Sequence, residues 1–208
     1  MKRLAAGLGV LGILVLAGCA PVGAPGATDR IEFIGTTVVD GYSFDQYRNL
    51  AYPCLIRGYQ TFAIGTKVGS DPNATRPLWV RMHGGGVGWF GPDGSPLPNA
   101  AQKSEETDVL TNTLTQGGLM ARVRSAPAGF RLLSVSMCDH DIYSGGDQPD
   151  PNNPNTTPDG KPRTVNGLFA TKAAIQLALK KLPTSKFFLH GTSAVSYTHL
   201  TLPTNREV

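Results

Sequence analysis

The pattern of apolar and polar positions predicts a chain built from short strands and two helices. Two β-rich stretches come first, IEFIGTTVVDGYSFDQY and GYQTFAIGTKV, and the turn-prone segment between them favours an antiparallel hairpin. Short apolar runs at 77–82 (PLWVRM), 130–138 (FRLLSVSMC) and 186–190 (KFFLH) predict three further strands. The predicted fold therefore begins with a hairpin and continues with single, separated strands.

Helical periodicity appears twice between these strands. LMARVRSAP predicts a short helix that ends at Pro127, and GLFATKAAIQLALKKL predicts an amphipathic helix that ends before Pro183. In the second helix, the apolar residues expected to face inward are Ala173, Ala174, Leu177 and Ala178. The lysines expected to face water are Lys172, Lys180 and Lys181. The stretches 91–104 and 139–163 are rich in Gly, Pro, Asn or Asp, so they predict loops.

Strands that alternate with helices indicate an α/β fold, with a mostly parallel sheet covered on both faces and the antiparallel hairpin at its N-terminal edge. Right-handed crossovers place the carboxyl ends of parallel strands on one edge of the sheet, where sites in such folds form. Two motifs follow predicted strands in this way. HGGG (83–86) follows PLWVRM, and GTSA (191–194) follows KFFLH.

These two motifs suit the chemistry of acyl transfer. A run of glycines lets backbone N–H groups converge on one point without side chains in the way, as a developing oxyanion requires. A tight turn between a strand and a helix pushes a serine hydroxyl out over the edge of the sheet. Each motif alone has a plainer interpretation, a glycine turn for HGGG and a helix N-cap for the serine. Together, at strand ends, they favour a catalytic site.

HGGG, followed about a hundred residues later by a strand and Gly-x-Ser, resembles the HGGG-type serine esterase and lipase branch of the α/β-hydrolase superfamily. The resemblance covers residues 30–194 and implies the N-terminal part of an α/β-hydrolase fold, incomplete after the strand that carries the serine. It implies that Ser193 is the nucleophile. The remaining implied residues are the oxyanion-hole donors Gly84, Gly85 and Ala194 and the motif residues His83, Gly86 and Gly191.

The end of the chain departs from the family pattern. Val195 stands where the family has glycine, and the family's triad acid and histidine come after the serine. Residues 195–204, VSYTHLTLPT, resemble the translation of a transposon-derived sequencing adaptor. We therefore expect a non-native tail over 195–208 and a natural chain that continues past 194 with glycine at 195; a natural tail is the alternative. His199 is excluded as the triad base, because it follows the serine too closely to meet its hydroxyl.

Residues 1–18 predict a secretory signal, because a positive start precedes a Gly/Ala-rich apolar stretch that is short for a membrane span. Its end, LAGC (16–19), resembles the bacterial lipobox, which implies cleavage before Cys19 and lipidation of that cysteine as a membrane anchor. An ordinary signal peptide or an uncleaved anchor is the alternative. Residues 19–29 predict a flexible tether ahead of the partial hydrolase domain at 30–194.

This N-terminus predicts a protein of the bacterial cell envelope, lipid-anchored or secreted. Ala20 follows the cysteine, which favours the outer membrane in a Gram-negative host. The net charge of +4 comes from scattered basic residues, so no nucleic-acid partner is expected. Hydrophobic content of 40% and charged content of 16% exclude a disordered chain.

No cofactor and no metal are expected, because the chain has no dinucleotide fingerprint, phosphate loop or metal-binding cysteine pair. The Asp/Asn-rich stretch 147–159 offers oxygen ligands for calcium, but prolines interrupt it and its spacing does not match an EF-hand loop. Calcium binding there stays open.

Three further groups have two interpretations each. Cys54 and Cys138 form a disulfide in an oxidising compartment, or they stay buried thiols. Trp89 and Phe90, just after the glycine run, form a hydrophobic substrate pocket, or they pack within their loop. Asp-His-Asp at 139–141 lines the site, or it is a solvated part of the loop.

Two functions follow from these expectations. The first is an exported serine hydrolase that cleaves small-molecule or polymeric carboxylic esters through an acyl-enzyme on Ser193, with the 208-residue chain inactive because the triad acid and histidine are missing. The second is a non-catalytic, ligand-binding surface lipoprotein on the same scaffold. An elbow serine is unnecessary in the second, which favours the first.

Overall fold

The computed structural model describes residues 27–98 and 104–195. The predicted signal peptide, the lipidation site Cys19 and the tail residue His199 lie outside the described residues. The strands are β1 Ile31–Val39, β2 Tyr42–Pro53, β3 Tyr59–Lys67, β4 Arg76–Met82, β5 Gly88–Phe90, β6 Pro96–Pro98, β7 Arg131–Val135, β8 Gln148–Pro149, β9 Thr164–Val165 and β10 Thr184–Gly191. The helices are α1 Asp108–Thr115, α2 Gly118–Ser125 and α3 Gly167–Lys181, and a 3-10 turn covers Ser193–Val195.

Six of these strands form one mixed sheet in the order β1-β2-β3-β7-β4-β10. The pairings β1–β2, β2–β3 and β3–β7 are antiparallel, and only β7–β4 and β4–β10 are parallel. Strand residues also outnumber helical residues in the described chain. The predicted fold class, an α/β fold with a mostly parallel sheet as in an α/β-hydrolase, is therefore wrong.

The physical reason lies in the first third of the chain, which forms three long strands instead of a small edge hairpin. Asp40 and Gly41 both have positive φ, 49° and 73°, which is the backbone of a tight two-residue hairpin turn. That turn folds β1 directly onto β2, and β3 adds to β2 in the same antiparallel sense. Because the antiparallel strands are long, they dominate the sheet.

The core lies under β3, β7 and β4. Alternate residues of β4 are buried (Leu78, Val80 and Met82), whereas every residue of β7 is buried, because apolar clusters cover both faces of β7. Helix α3 covers one face with Ala173, Ala174 and Ala178, while Lys172, Lys180 and Lys181 are exposed. The predicted inward and outward faces of this helix are confirmed.

Helix α2 is also confirmed, and it ends two residues before Pro127. Helix α1 was not predicted, because its sequence DVLTNTLT is rich in threonine, a poor helix former. Its one sequence signal is the spacing of Leu110 and Leu114, four residues apart and both fully buried. None of the helices within 27–98 and 104–195 is long and apolar enough to cross a membrane.

Candidate functional site

The two sequence motifs lie side by side at one edge of the sheet. β4 and β10 are parallel neighbours, and Gly191 pairs with Met82 at their carboxyl ends. The residues that follow each strand therefore leave the sheet together. The N–H of Gly84 donates a hydrogen bond to the hydroxyl oxygen of Thr192 at 3.2 Å, which ties the two motifs to each other.

Ser193 lies directly against Gly84. A Cβ added to Gly84 would lie 2.6 Å from the Cβ of Ser193 and 2.8 Å from the carbonyl oxygen of Thr192, so only glycine fits at this position. The same point is 3.4 Å from the Ser193 hydroxyl oxygen. The side chain of Ser193 thus packs against the glycine loop, residues 83–86.

The backbone of Ser193 is in the left-handed region, with φ of 57°, and the residue is exposed. A non-glycine residue in this region costs about 1–3 kcal/mol, and it persists where the surroundings impose it. Here the constraint is a turn that leaves β10 and closes with a hydrogen bond from the Val195 N–H to the Thr192 carbonyl at 3.2 Å. The turn holds Ser193 at the sheet edge, where solvent reaches it.

The three predicted oxyanion-hole donors differ in their surroundings. The Gly84 N–H is already bonded to Thr192. Gly85 is exposed, and its N–H donates to no other residue in the described ranges. Ala194 belongs to the turn after Ser193, so its backbone follows the serine closely. Gly85 is therefore better placed to serve a ligand than Gly84.

His83 fixes the direction of the peptide group that joins Gly84 to Gly85. Its Nδ1 lies 2.8 Å from the carbonyl oxygen of Gly84, and a carbonyl only accepts, so Nδ1 carries the proton and donates. The Gly84–Gly85 peptide is trans, so its N–H points away from that carbonyl. Holding the Gly84 oxygen therefore also sets where the Gly85 N–H points.

Glu106 holds the other side of the His83 ring. Its carboxylate lies 2.9 Å from Nε2 of His83, and both side chains are largely buried. Burial lowers the pKa of His83, but the hydrogen bond and the negative charge of Glu106 outweigh that effect and raise the pKa overall. The geometry is that of an imidazolium that donates from both nitrogens.

Glu106 is itself anchored from three directions. Its carboxylate also accepts from the Met137 N–H at 3.1 Å, and its backbone carbonyl accepts from the Thr61 hydroxyl. The adjacent Glu105 binds Arg48 through its carboxylate and thereby fixes the segment before α1. The sequence does not reveal Glu106, because no local pattern marks a carboxylate that meets a histidine from another loop.

Asp-His-Asp at 139–141 is packed inside the protein. Asp139 and His140 are 1% and 3% exposed, so the interpretation as a solvated loop does not apply to them. The Asp139 carboxylate accepts from the Asn166 N–H at 2.6 Å, and that of Asp141 accepts from the Gly167 N–H at 2.9 Å. Both acids therefore meet the first residues of α3, where negative charge is favourable.

A disulfide and a tyrosine hold this segment in place, and the tyrosine connects it to the glycine loop. The sulfur atoms of Cys54 and Cys138 are joined in a disulfide, and both cysteines are fully buried. The Tyr143 hydroxyl lies 2.9 Å from the Val135 carbonyl oxygen and 3.4 Å from that of His83, beneath the end of β4. Burial raises the pKa of Tyr143 well above its ordinary value, so it stays a neutral donor.

Trp89 and Phe90 lie on opposite faces of β5. Trp89 is 51% exposed, whereas Phe90 is buried beside Leu55 in a small apolar cluster. The two side chains therefore do not face a single pocket together. Phe90 packs as a core residue, and Trp89 is the one with a free aromatic face.

No protein-family model matches this chain, and no curated protein does either.

The acids of the 147–159 stretch have local partners. The carboxylates of Asp147, Asp150 and Asp159 accept from Thr164, from the Phe90 N–H and from Thr157, respectively. Among the described residues no group of three or more His, Cys, Asp or Glu side chains is arranged to hold a metal ion. The stretch is built as a hydrogen-bonded loop.

A cavity of about 620 Å³ lies apart from this edge of the sheet, between β2 and the loop 147–164. Leu50, Tyr59 and Lys161 are among the residues that line it, and none of the motif residues does. We place the candidate site at Ser193 because strained backbone, close glycine packing and an exposed backbone donor coincide there.

Proposed function

We propose that Ser193 is the nucleophile of a carboxylic-ester hydrolase that works through an acyl-enzyme. The observation that carries this proposal is the left-handed backbone of Ser193 at the end of β10, packed against Gly84 of the glycine loop. Strain of this kind clusters at active sites, where it presents a side chain that a relaxed turn would withdraw.

In the proposed reaction the Ser193 hydroxyl oxygen adds to the acyl carbon while a base takes its proton. The negative charge that develops on the carbonyl oxygen is stabilised by backbone N–H groups of Gly85 and Ala194. The C–O bond to the alcohol breaks, and the alcohol leaves with the proton from the base. Water then adds to the acyl carbon, and Ser193 leaves with a proton as the acid product departs.

The base is expected from sequence that follows residue 194 in the natural gene product. His83 is unsuited to the role, because both of its ring nitrogens face acceptors. We therefore expect the 208-residue chain to hydrolyse esters no faster than background. Ester hydrolysis by this chain that is lost on Ser193→Ala would contradict that expectation.

A fluorophosphonate probe tests the proposal. The protein to be labelled is the natural gene product, in which the gene's own sequence follows residue 194. We expect covalent labelling at Ser193, absent in Ser193→Ala, with Ser185→Ala as the matched control because Ser185 is an ordinary residue of β10. An unlabelled protein with a normal fold would reject the esterase and favour a ligand-binding surface lipoprotein.

We also propose that Cys19 carries a lipid anchor in the cell envelope, on the sequence grounds given above. Cell fractionation with detergent-phase partition tests this. The wild-type protein should enter the detergent phase and the Cys19→Ser variant should not. Equal partition of both would reject the anchor without bearing on Ser193.

A further inference from the structure

Backbone strain is concentrated in the segment Cys138–Tyr143, next to the candidate site. His140, Ile142 and Tyr143 have φ of 48°, 52° and 60°, and none of them is glycine. Ile142 is β-branched, for which this conformation is a marked outlier. Such a cluster persists only where the surrounding structure imposes it, and it is typical of functional positions.

The surroundings do impose it. The disulfide to Cys54 holds the start of the segment, and its two cysteines are 84 residues apart in the chain. The carboxylate of Asp139 also accepts from the Gln60 side chain at 2.8 Å. The carboxylate of Asp141 accepts from the Tyr143 N–H at 3.0 Å, which closes the segment on itself. His140 lies in the middle of these restraints.

His140 contacts the glycine loop at two points. Its ring nitrogen Nδ1 lies 3.2 Å from the carbonyl oxygen of Gly85, and its own carbonyl accepts from the Gly88 N–H at 3.3 Å. A Cβ on Gly85 would lie 3.3 Å from Cε1 of the ring, so the imidazole packs against that glycine. His140 therefore spans the loop from Gly85 to Gly88.

We propose that His140 is a positioning residue for the oxyanion hole, in which the Gly86 N–H is a further donor beside those of Gly85 and Ala194; this role rests on the function proposed for Ser193. The Gly85 carbonyl is an acceptor, so Nδ1 of His140 donates to it. The Gly85–Gly86 peptide is trans, so fixing that oxygen fixes the direction of the Gly86 N–H. His83 fixes the preceding peptide in the same way, and the two imidazoles thus orient two consecutive N–H groups.

This arrangement stabilises the transition state without first having to reorganise. Donors that are already aimed where charge develops contribute to kcat, because the charge is absent from the bound ester. Removing one oxyanion donor costs about 100- to 1000-fold in kcat. Since loss of the His140 bond misaligns donors without removing them, we expect roughly a 10- to 100-fold loss in kcat and little change in KM.

The matched pair His140→Asn and His140→Ala separates this role from a merely structural one. Asparagine tolerates the left-handed backbone and carries an amide N–H close to the position of Nδ1, so it should restore kcat to within about threefold of wild type. Alanine lacks the donor. Both variants are made in the gene product that continues past residue 194, and kcat and KM are measured on a chromogenic ester.

A second measurement uses the 208-residue chain and needs no activity. The Gly86 amide resonance should shift in His140→Ala and stay near its wild-type position in His140→Asn. An unmoved Gly86 amide in His140→Ala overturns the proposal, and so do equal kcat losses in two folded variants. If the unsubstituted protein shows no Ser193-dependent turnover, the proposed function fails, and the Gly86 amide still decides whether His140 orients the loop.

Discussion

His83 and Glu106 form a buried hydrogen-bonded pair in which Nε2 of the imidazole lies 2.9 Å from the carboxylate. The other ring nitrogen is committed to the backbone of the glycine loop. The pair therefore links a charge interaction to the shape of the loop beside Ser193. A change in the protonation of His83 therefore affects the hydrogen bonds that hold the glycine loop in place.

The first prediction concerns pH. The pKa of His83 is raised in the folded protein, so the stabilisation from the pair is complete below the ordinary histidine value of about 6.5 and is lost as pH rises through the raised pKa. We expect Glu106→Gln to lower the free energy of unfolding by about 2 kcal/mol at pH 6. The difference from wild type should shrink toward pH 9, as measured by urea unfolding.

Glu105→Gln is the matched control for that series. Glu105 binds the guanidinium of Arg48, which stays charged over this pH range, so its effect should not depend on pH. Equal pH dependence in the two variants would show that the Glu106 effect does not come from His83.

The second prediction concerns Gly84. Gly84→Ala places a methyl group within 2.6 Å of the Ser193 Cβ and 2.8 Å of a backbone oxygen, so the turn must move. We expect a loss of about 1–3 kcal/mol in the free energy of unfolding and a displaced Ser193. Gly118→Ala is the control, because nothing lies within 4 Å of its added Cβ. A Gly84→Ala variant as stable as the control would refute the close packing.

The third prediction concerns the disulfide. Replacing Cys54 and Cys138 together by serine removes a cross-link between residues 84 apart, which should cost roughly 2–5 kcal/mol of unfolding free energy. Because both cysteines are fully buried, reduction of the wild-type chain should be slow in buffer and fast in urea. The rate of reduction is measured by counting free thiols over time. Rapid reduction of the native protein would contradict the prediction, because it would show that the disulfide is accessible.

The fourth prediction concerns the edge strand β10. Among the described strands it pairs with β4 alone, and Phe187, Phe188 and Leu189 are each about 40% exposed. An exposed apolar edge strand favours self-association. We expect the chain to form large species in light scattering, and the double variant Phe187→Lys with Leu189→Lys to suppress them strongly. Val68→Lys is the control, since Val68 is equally apolar and 57% exposed but lies in a turn after β3.

Local patterns predicted the local elements well. The apolar runs that became β4, β7 and β10 and the periodic stretch that became α3 are properties of a few adjacent residues. The glycine run and the serine turn were also visible, because each has a composition that a particular backbone requires.

The predicted strand direction, a mostly parallel sheet, was wrong, because an apolar run has the same composition whether its neighbour is parallel or antiparallel. β3 and β7 pair antiparallel through Phe62 and Val135, which no short window of sequence can show. Glu106 was missed for the same reason, since its role depends on a hydrogen bond with His83, which comes from a different loop.

The hydrogen bond from Gly84 to Thr192 joins residues 108 apart in the chain. β4 lies between β7 and β10, and both of those strands are synthesised after it. The meander β1–β3 can form early, whereas β4 has no sheet neighbour until much later. The order of synthesis therefore makes the serine turn one of the last contacts to form, since closing so long a loop is slow and needs the intervening strands in place. A chain that holds Ser193 against Gly84 has already paired β4 with β10.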